Sequence, residues 1–239
     1  TRLELRYKIS SDEIYAVSAG SSPILQAEEA RGSLITSALG YTVSFDSQLA
    51  ETDPTSRTTF RFSQDFAGAG GDIEAITTTG LARYEKHIFN DEVTLRAELE
   101  GGAVVASGAN GTRLVDRFTG NGKVRGFEAN GYGPRDLTVP NQDALGGNMF
   151  AVARFEAEFP LGLPEEYGIS GGVFADVGSV WGLDNPGTVD DAMHMRSAVG
   201  LSLFWDSILG PLRFNFSKAI AKETYDKEQS FDFTISTQF

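Results

Sequence analysis

Apolar and polar residues alternate along most of this chain with period two, and period 3.6 is nearly absent. "RLELRYKI" sets Leu3, Leu5, Tyr7 and Ile9 against Arg2, Glu4, Arg6 and Lys8. "SLITSALGYTVSFDS" places Ile35, Leu39, Tyr41, Val43 and Phe45 on one side, and "RTTFRFSQDF" sets Phe60, Phe62 and Phe66 against Arg61 and Asp65. A weaker, Thr-rich stretch, "GDIEAITTTGLARYE", precedes "EVTLRAELEGGAVVA", in which Val93, Leu95, Ala97 and Leu99 oppose Thr94, Arg96, Glu98 and Glu100. The second half continues with "MFAVARFEAEF", "YGISGGVFADVGSVW", "MRSAVGLSLFW" and "PLRFNFSKA". The chain ends on "SFDFTISTQF", with Phe231, Phe233, Ile235, Thr237 and Phe239 on one face and Asp232, Thr234, Ser236 and Gln238 on the other. The pattern predicts about ten strands of roughly 9–15 residues, the length that crosses a bilayer when tilted.

The connectors alternate as well. "SQLAETDPTS", "KHIFND", "PLGLPEEYG" and "DSILG" are the shorter links and fall at one end. The other end carries "SSDEIYAVSAGSSPILQAEEARG", the stretch Ser107–Asn148, "GLDNPGTVDDAMH" and "AKETYDKEQ", with one short exception near Ala67–Gly71. Alternation alone leaves two directions open. In a soluble sandwich or lipocalin-like barrel the apolar face points inward; in a membrane barrel it meets lipid. Strand length and the asymmetry of the two rims favour lipid, with the Phe239 end periplasmic.

Composition narrows the function classes. The 239 residues carry a net charge of −13, which argues against nucleic acid as a partner. There is no cysteine, hence no disulfide and no thiolate chemistry. No apolar run is long enough for a spanning helix, a test that membrane barrels escape. Thr1 opens directly on a strand pattern without a leader-like stretch, so the expectation is a mature chain or a portion of a longer one. Phosphate-binding, metalloprotease and serine-hydrolase motifs are lacking. His87 reads as a turn residue and His194 as a strand-edge residue, both on the surface. Asp184, Asp190 and Asp191 lack EF-hand spacing and read as a solvated loop. No cofactor, metal or catalytic residue is expected.

Ser107–Asn148 is far longer than ordinary connections. Its centre, "GNGKVRGFEANGYGPRD", holds five glycines and one proline, a composition of defined turns. "VRGF" (Val124, Arg125, Gly126, Phe127), then "NGYGPRD" and "GGNMFAVARFEAEFP", closely resembles the BamA/TamA family of outer-membrane β-barrel assembly proteins. "VFADVGSVW" (Val173–Trp181), "GPLRFNFSKAI" (Gly210–Ile220) and the terminal Phe strand resemble further motifs of that family. The first half of the chain matches in pattern only.

The resemblance implies an all-β, antiparallel transmembrane barrel, with residues 1–239 forming the C-terminal portion of a sixteen-strand barrel that follows periplasmic POTRA domains. It implies that loop 107–148 folds into the lumen, where Arg125 meets Glu156 and Asp176. The residues support this: both acids lie on the polar faces of their strands, and the loop leads straight into the Phe150 strand. Read without the resemblance, Arg125 is equally a solvated loop residue. The expected function is non-enzymatic folding and insertion of client barrels in the bacterial outer membrane. Clients pair on the seam strand Phe231, Phe233, Ile235 and Phe239. Partners are outer-membrane lipid, client β-barrels and periplasmic assembly lipoproteins held through the POTRA domains. A two-partner secretion or TamA-like translocation barrel, a passive porin-like channel and an outer-membrane enzyme are the competing readings.

Overall fold

The computed structural model describes residues 1–50, 55–108, 111–207 and 210–235. Among the described residues ten strands form one antiparallel meander in chain order. They are β1 (Arg2–Asp12), β2 (Leu34–Asp46), β3 (Ser56–Ala67), β4 (Ala75–Ile88), β5 (Val93–Ala106), β6 (Met149–Pro160), β7 (Ile169–Trp181), β8 (Arg196–Ser207), β9 (Gly210–Ala221) and β10 (Phe231–Ile235). Among the described residues β1 pairs only with β2 and β10 only with β9. Phe239 and the three residues before it lie outside the described residues.

The faces of the sheet decide its solvent. One register row runs Leu95, Ala157, Val173, Leu201, Phe216 and Phe231 across β5 to β10. These side chains point outward; Leu5 is 77% exposed and Phe216 53%. The opposite face carries Asp176, Arg196, Ser202 and Asn215, all buried. Such inversion in water would expose an apolar patch far beyond what monomers carry. In a bilayer it is the required arrangement: the ladders on both sides of β2 to β9 satisfy their backbone groups, and the outer side chains meet hydrocarbon. The sheet is therefore the wall of a transmembrane β-structure, as the alternation and strand lengths indicate.

A charge placed on that wall tests this directly. Leu99 on β5 is exposed and points outward. Leu99→Arg should lower unfolding stability in lipid vesicles by about 2–4 kcal/mol if it lies near mid-membrane. A water-facing site would show a change within about 0.5 kcal/mol. Equilibrium denaturation of the wild type and the variant in the same vesicles separates the two.

Two local details depart from the sequence reading. His87 lies inside β4, paired with Thr94 and bonded to its hydroxyl at 3.0 Å, because the β4–β5 ladder continues to Ile88–Val93 and leaves only a tight turn beyond it. A helix, α1 (Pro23–Glu29), stands in the β1–β2 loop. Ser22 caps it and Pro23 opens it. Two turns are too short to register as a helical period, but the Ser-Pro start was a readable signal.

Candidate functional site

The loop from Ser107 to Asn148 packs onto the polar face of the sheet, and its centre is held by one arginine. Arg125 is fixed on both sides of its guanidinium. Nε donates to Asp176 Oδ2 at 2.7 Å and Nη2 to Oδ1 at 2.6 Å, while Nη1 donates to Glu156 Oε2 at 2.7 Å. The Arg125 backbone N–H also reaches Asp176 Oδ2, at 3.1 Å. This is a bidentate fork on one acid with the third nitrogen on another, an arrangement that lysine cannot copy. The guanidinium carbon stands 3.5 Å from the centroid of the Phe174 ring. Phe174 has room because its register partner is Gly200, where a Cβ would lie 2.4 Å from the ring.

Glu156 is shared. Arg213 on β9 bonds the same Oε2, and Arg96 on β5 reaches Oε1 at 3.4 Å. The sequence assigned no role to Arg213 or Arg96. Both sit at polar positions of their alternating strands, which was the available signal, but alternation does not say which strands the sheet's curvature brings together.

The rest of the motif is packed. Val124 and Phe127 are buried with Tyr132, Phe150, Val152, Val180, Ala198 and Ala219. The concave side is thus apolar beneath the loop as well as ionic. Phe150, Val152 and Val180 face inward to receive the loop. Phe127 packs its ring 5.1 Å from Tyr132. Gly126 has φ +91° and its missing Cβ would lie 3.1 Å from Ala198 Cβ. Gly126→Ala should therefore strain the backbone by about 1–2 kcal/mol and push on β8. Hydrogen exchange of loop amides should accelerate about tenfold, with β2 and β3 unchanged.

Neighbouring loops grip this one. Glu28 on α1 accepts from the Leu114 N–H at 2.8 Å and faces Arg117 at 3.5 Å. Ser22 Oγ donates to Asp136 at 2.6 Å. The Thr112 hydroxyl and N–H both donate to Asp184 Oδ2, at 2.8 and 2.6 Å. Burial pushes the Asp184 carboxyl up, but the Thr112 bonds outweigh it and hold it below its ordinary value. Asp190 faces His194 at 2.9 Å, and Asp191 accepts from the Leu183 N–H. On the last loop, Arg196 is clamped by Asp226 at 2.9 and 3.1 Å, with both side chains almost fully buried. Of the seam residues, Phe231, Phe233 and Ile235 point outward from β10. They lie on the face opposite the ionic cluster.

Comparison with known proteins follows the same lines. A family model described as "Omp85 superfamily domain" matches residues 1–239. The chain is 32% identical over 239 residues to "Outer membrane protein assembly factor BamA" of Neorickettsia risticii, a match that covers 100% of this chain and 32% of that protein. It is 25% identical to the protein of the same name from Nitratidesulfovibrio vulgaris, covering 98% of this chain and 29% of the other. A crystal structure of BamA from Haemophilus ducreyi lacking POTRA domains 1-3 aligns with TM-score 0.75 at 19% identity, over 97% of this chain and 49% of that one. The chain spans about a third of the length of the curated relatives it matches.

Proposed function

Because the chain belongs to the Omp85 superfamily, we propose that it is the barrel portion of an outer-membrane assembly factor that folds and inserts β-barrel clients. The observation that carries this reading is similarity along the full chain to relatives named assembly factors. The geometry agrees with it. Assembly of this kind makes and breaks no covalent bond, and the clusters described above are occupied in holding loops. The work is to lower the penalty of bringing unpaired backbone into hydrocarbon, several kcal/mol per group. A lightly held strand edge does this by offering hydrogen bonds to an incoming strand. β10 is the candidate for that role: it is the last strand in the sheet order and, among the described residues, pairs with β9 alone.

In this reading residues 1–239 follow POTRA domains that recruit periplasmic lipoproteins. The long loops face outside the cell, and the Phe239 end faces the periplasm. Val124–Phe127 is the internal latch, with Glu156 and Asp176 as its partners. The mutual grip of the loops over the concave face speaks against a passive channel, which needs an open path.

The test uses the full-length protein in lipid vesicles. A urea-unfolded client barrel is added and its folding followed by protease protection. Folding several-fold faster than in empty vesicles supports the reading. Vesicles that conduct ions but fold the client no faster than empty ones would favour the channel instead.

A further inference from the structure

The ionic cluster around Arg125 does not stop at Glu156. Arg213 bonds Glu156 and also donates from Nε to Asn215 Oδ1 at 2.9 Å. The Ser202 hydroxyl donates to the same oxygen at 2.8 Å. Asn215 then donates from Nδ2 to Asp232 Oδ2 at 3.1 Å. Asp232 is the register partner of Asn215 and lies on the inner face of β10. Asn215 is only 2% exposed. An unbroken run of polar contacts therefore joins the loop arginine to the seam strand: Arg125, Glu156, Arg213, Asn215, Asp232.

A second set of bonds joins the same loop to the connection that leads into β10. Gln229 N–H donates to the Gly126 carbonyl at 3.0 Å, and Glu128 N–H donates to the Lys227 carbonyl at 3.0 Å. Lys227 N–H returns to the Gly131 carbonyl at 2.9 Å. The loop thus holds β10 at its entry, through the β9–β10 connection, and on its inner face, through Asn215.

We propose that Asn215 is a positioning residue that couples docking of the Val124–Phe127 loop to pairing of β10. Released at Arg125, the loop takes its bonds to Lys227 and Gln229 with it, and Glu156 and Arg213 lose the guanidinium that fixes their end of the run, so the terminal strand frays from β9. Docked, it fixes the register in which Asp232 opposes Asn215. The polarity of the contacts gives the coupling its sense. Asn215 accepts from Arg213 and donates to Asp232, so it is the one uncharged group in the run and joins a guanidinium to a carboxylate without adding a charge of its own. A carboxylate there would place two anions in register on adjacent strands, which is destabilising. The coupling is a property of the protein alone; only its use in client assembly rests on the function proposed above.

Hydrogen exchange of the full-length protein in vesicles, with no client present, tests it. N215D should accelerate exchange of the Phe231–Ile235 amides about tenfold or more. Adding D232N should restore them to within about twofold, because the new carboxylate accepts both from Arg213 and from the new amide. R125A, on a different element, should accelerate the same β10 amides. Combined with N215D it should add little further. The proposal is overturned if R125A frees the loop amides and leaves β10 at its wild-type rate, or if D232N fails to rescue N215D. Since no assembly is measured, either outcome leaves the function proposal standing or falling on its own vesicle assay.

Discussion

Arg125→Ala should release the loop from the sheet and cut client assembly at least tenfold, while the protein still reaches the membrane. The size of the effect follows from what is left behind. Asp176 is buried, and its side-chain partner in the structure is Arg125. Removing one member of a buried ion pair costs about 3–5 kcal/mol, mostly for stranding the other charge. Glu156 fares better, because Arg213 and Arg96 remain beside it. The stranded group is therefore Asp176, which makes a specific double-variant expectation. R125A with D176A should be more stable than R125A alone, yet equally defective in assembly, since neutralising the acid does not re-anchor the loop. Arg125→Lys keeps the charge and loses the fork; it should recover about half of the lost stability or less. Unfolding midpoints in vesicles and client levels in complemented cells give the two readouts. Full activity in R125A would remove the latch from the proposed mechanism.

Asp226→Ala should have the second largest effect. The Arg196–Asp226 pair is the most completely buried ion pair of the molecule's described residues, with side-chain exposures of 1% and 0%. Tyr225 supplies a further acceptor for Arg196 at 3.1 Å, and the His194 carbonyl another at 2.8 Å. Without Asp226 the guanidinium keeps those neutral partners but loses its counter-charge, a loss of about 3 kcal/mol. Asp226 also closes its own turn, accepting from the Glu223 N–H at 2.8 Å. The β9–β10 connection should then open, exposing Lys222–Ser230 to protease about tenfold faster in intact vesicles. Asp226→Asn keeps the turn's shape and an acceptor oxygen, and should fall between the two. If both variants are cut at the wild-type rate, the pair does not organise this connection.

The strands were legible because a wall between two solvents imposes a strict rule on every second residue. Leu3 to Ile9 on β1 and Leu212 to Phe216 on β9 obey it, and the ladders pair as that rule requires. The direction of the apolar face was not contained in alternation and needed strand length and rim asymmetry. Phe150 and Val152 show where the rule fails. They are apolar on the inner face, because the packed loop replaces water there. α1 was missed because two turns give no period. Arg213 was missed for a different reason: nothing local marks it, and its value comes from β6 and β9 being brought within reach by the curved sheet. Arg125 was found through a four-residue motif, which names the residue but says nothing of Phe174 beneath it or of Gly200, which makes space for that ring.

The clamp on Arg125 has a bearing on the order of assembly of this protein itself. Its two acids sit on β6 and β7, and its own segment precedes both in the chain, by 31 residues for Glu156 and 51 for Asp176. The acceptors do not exist as a pair until those strands have zipped in register, with Glu156 opposite Phe174 and Arg154 opposite Asp176. Closure of the latch is thus a late event, and on the topology proposed above a segment rich in charge must already have been carried to the far side of the bilayer before it can occur. Protection of Arg125 and Arg135 from a protease such as trypsin consequently marks molecules whose translocation is finished.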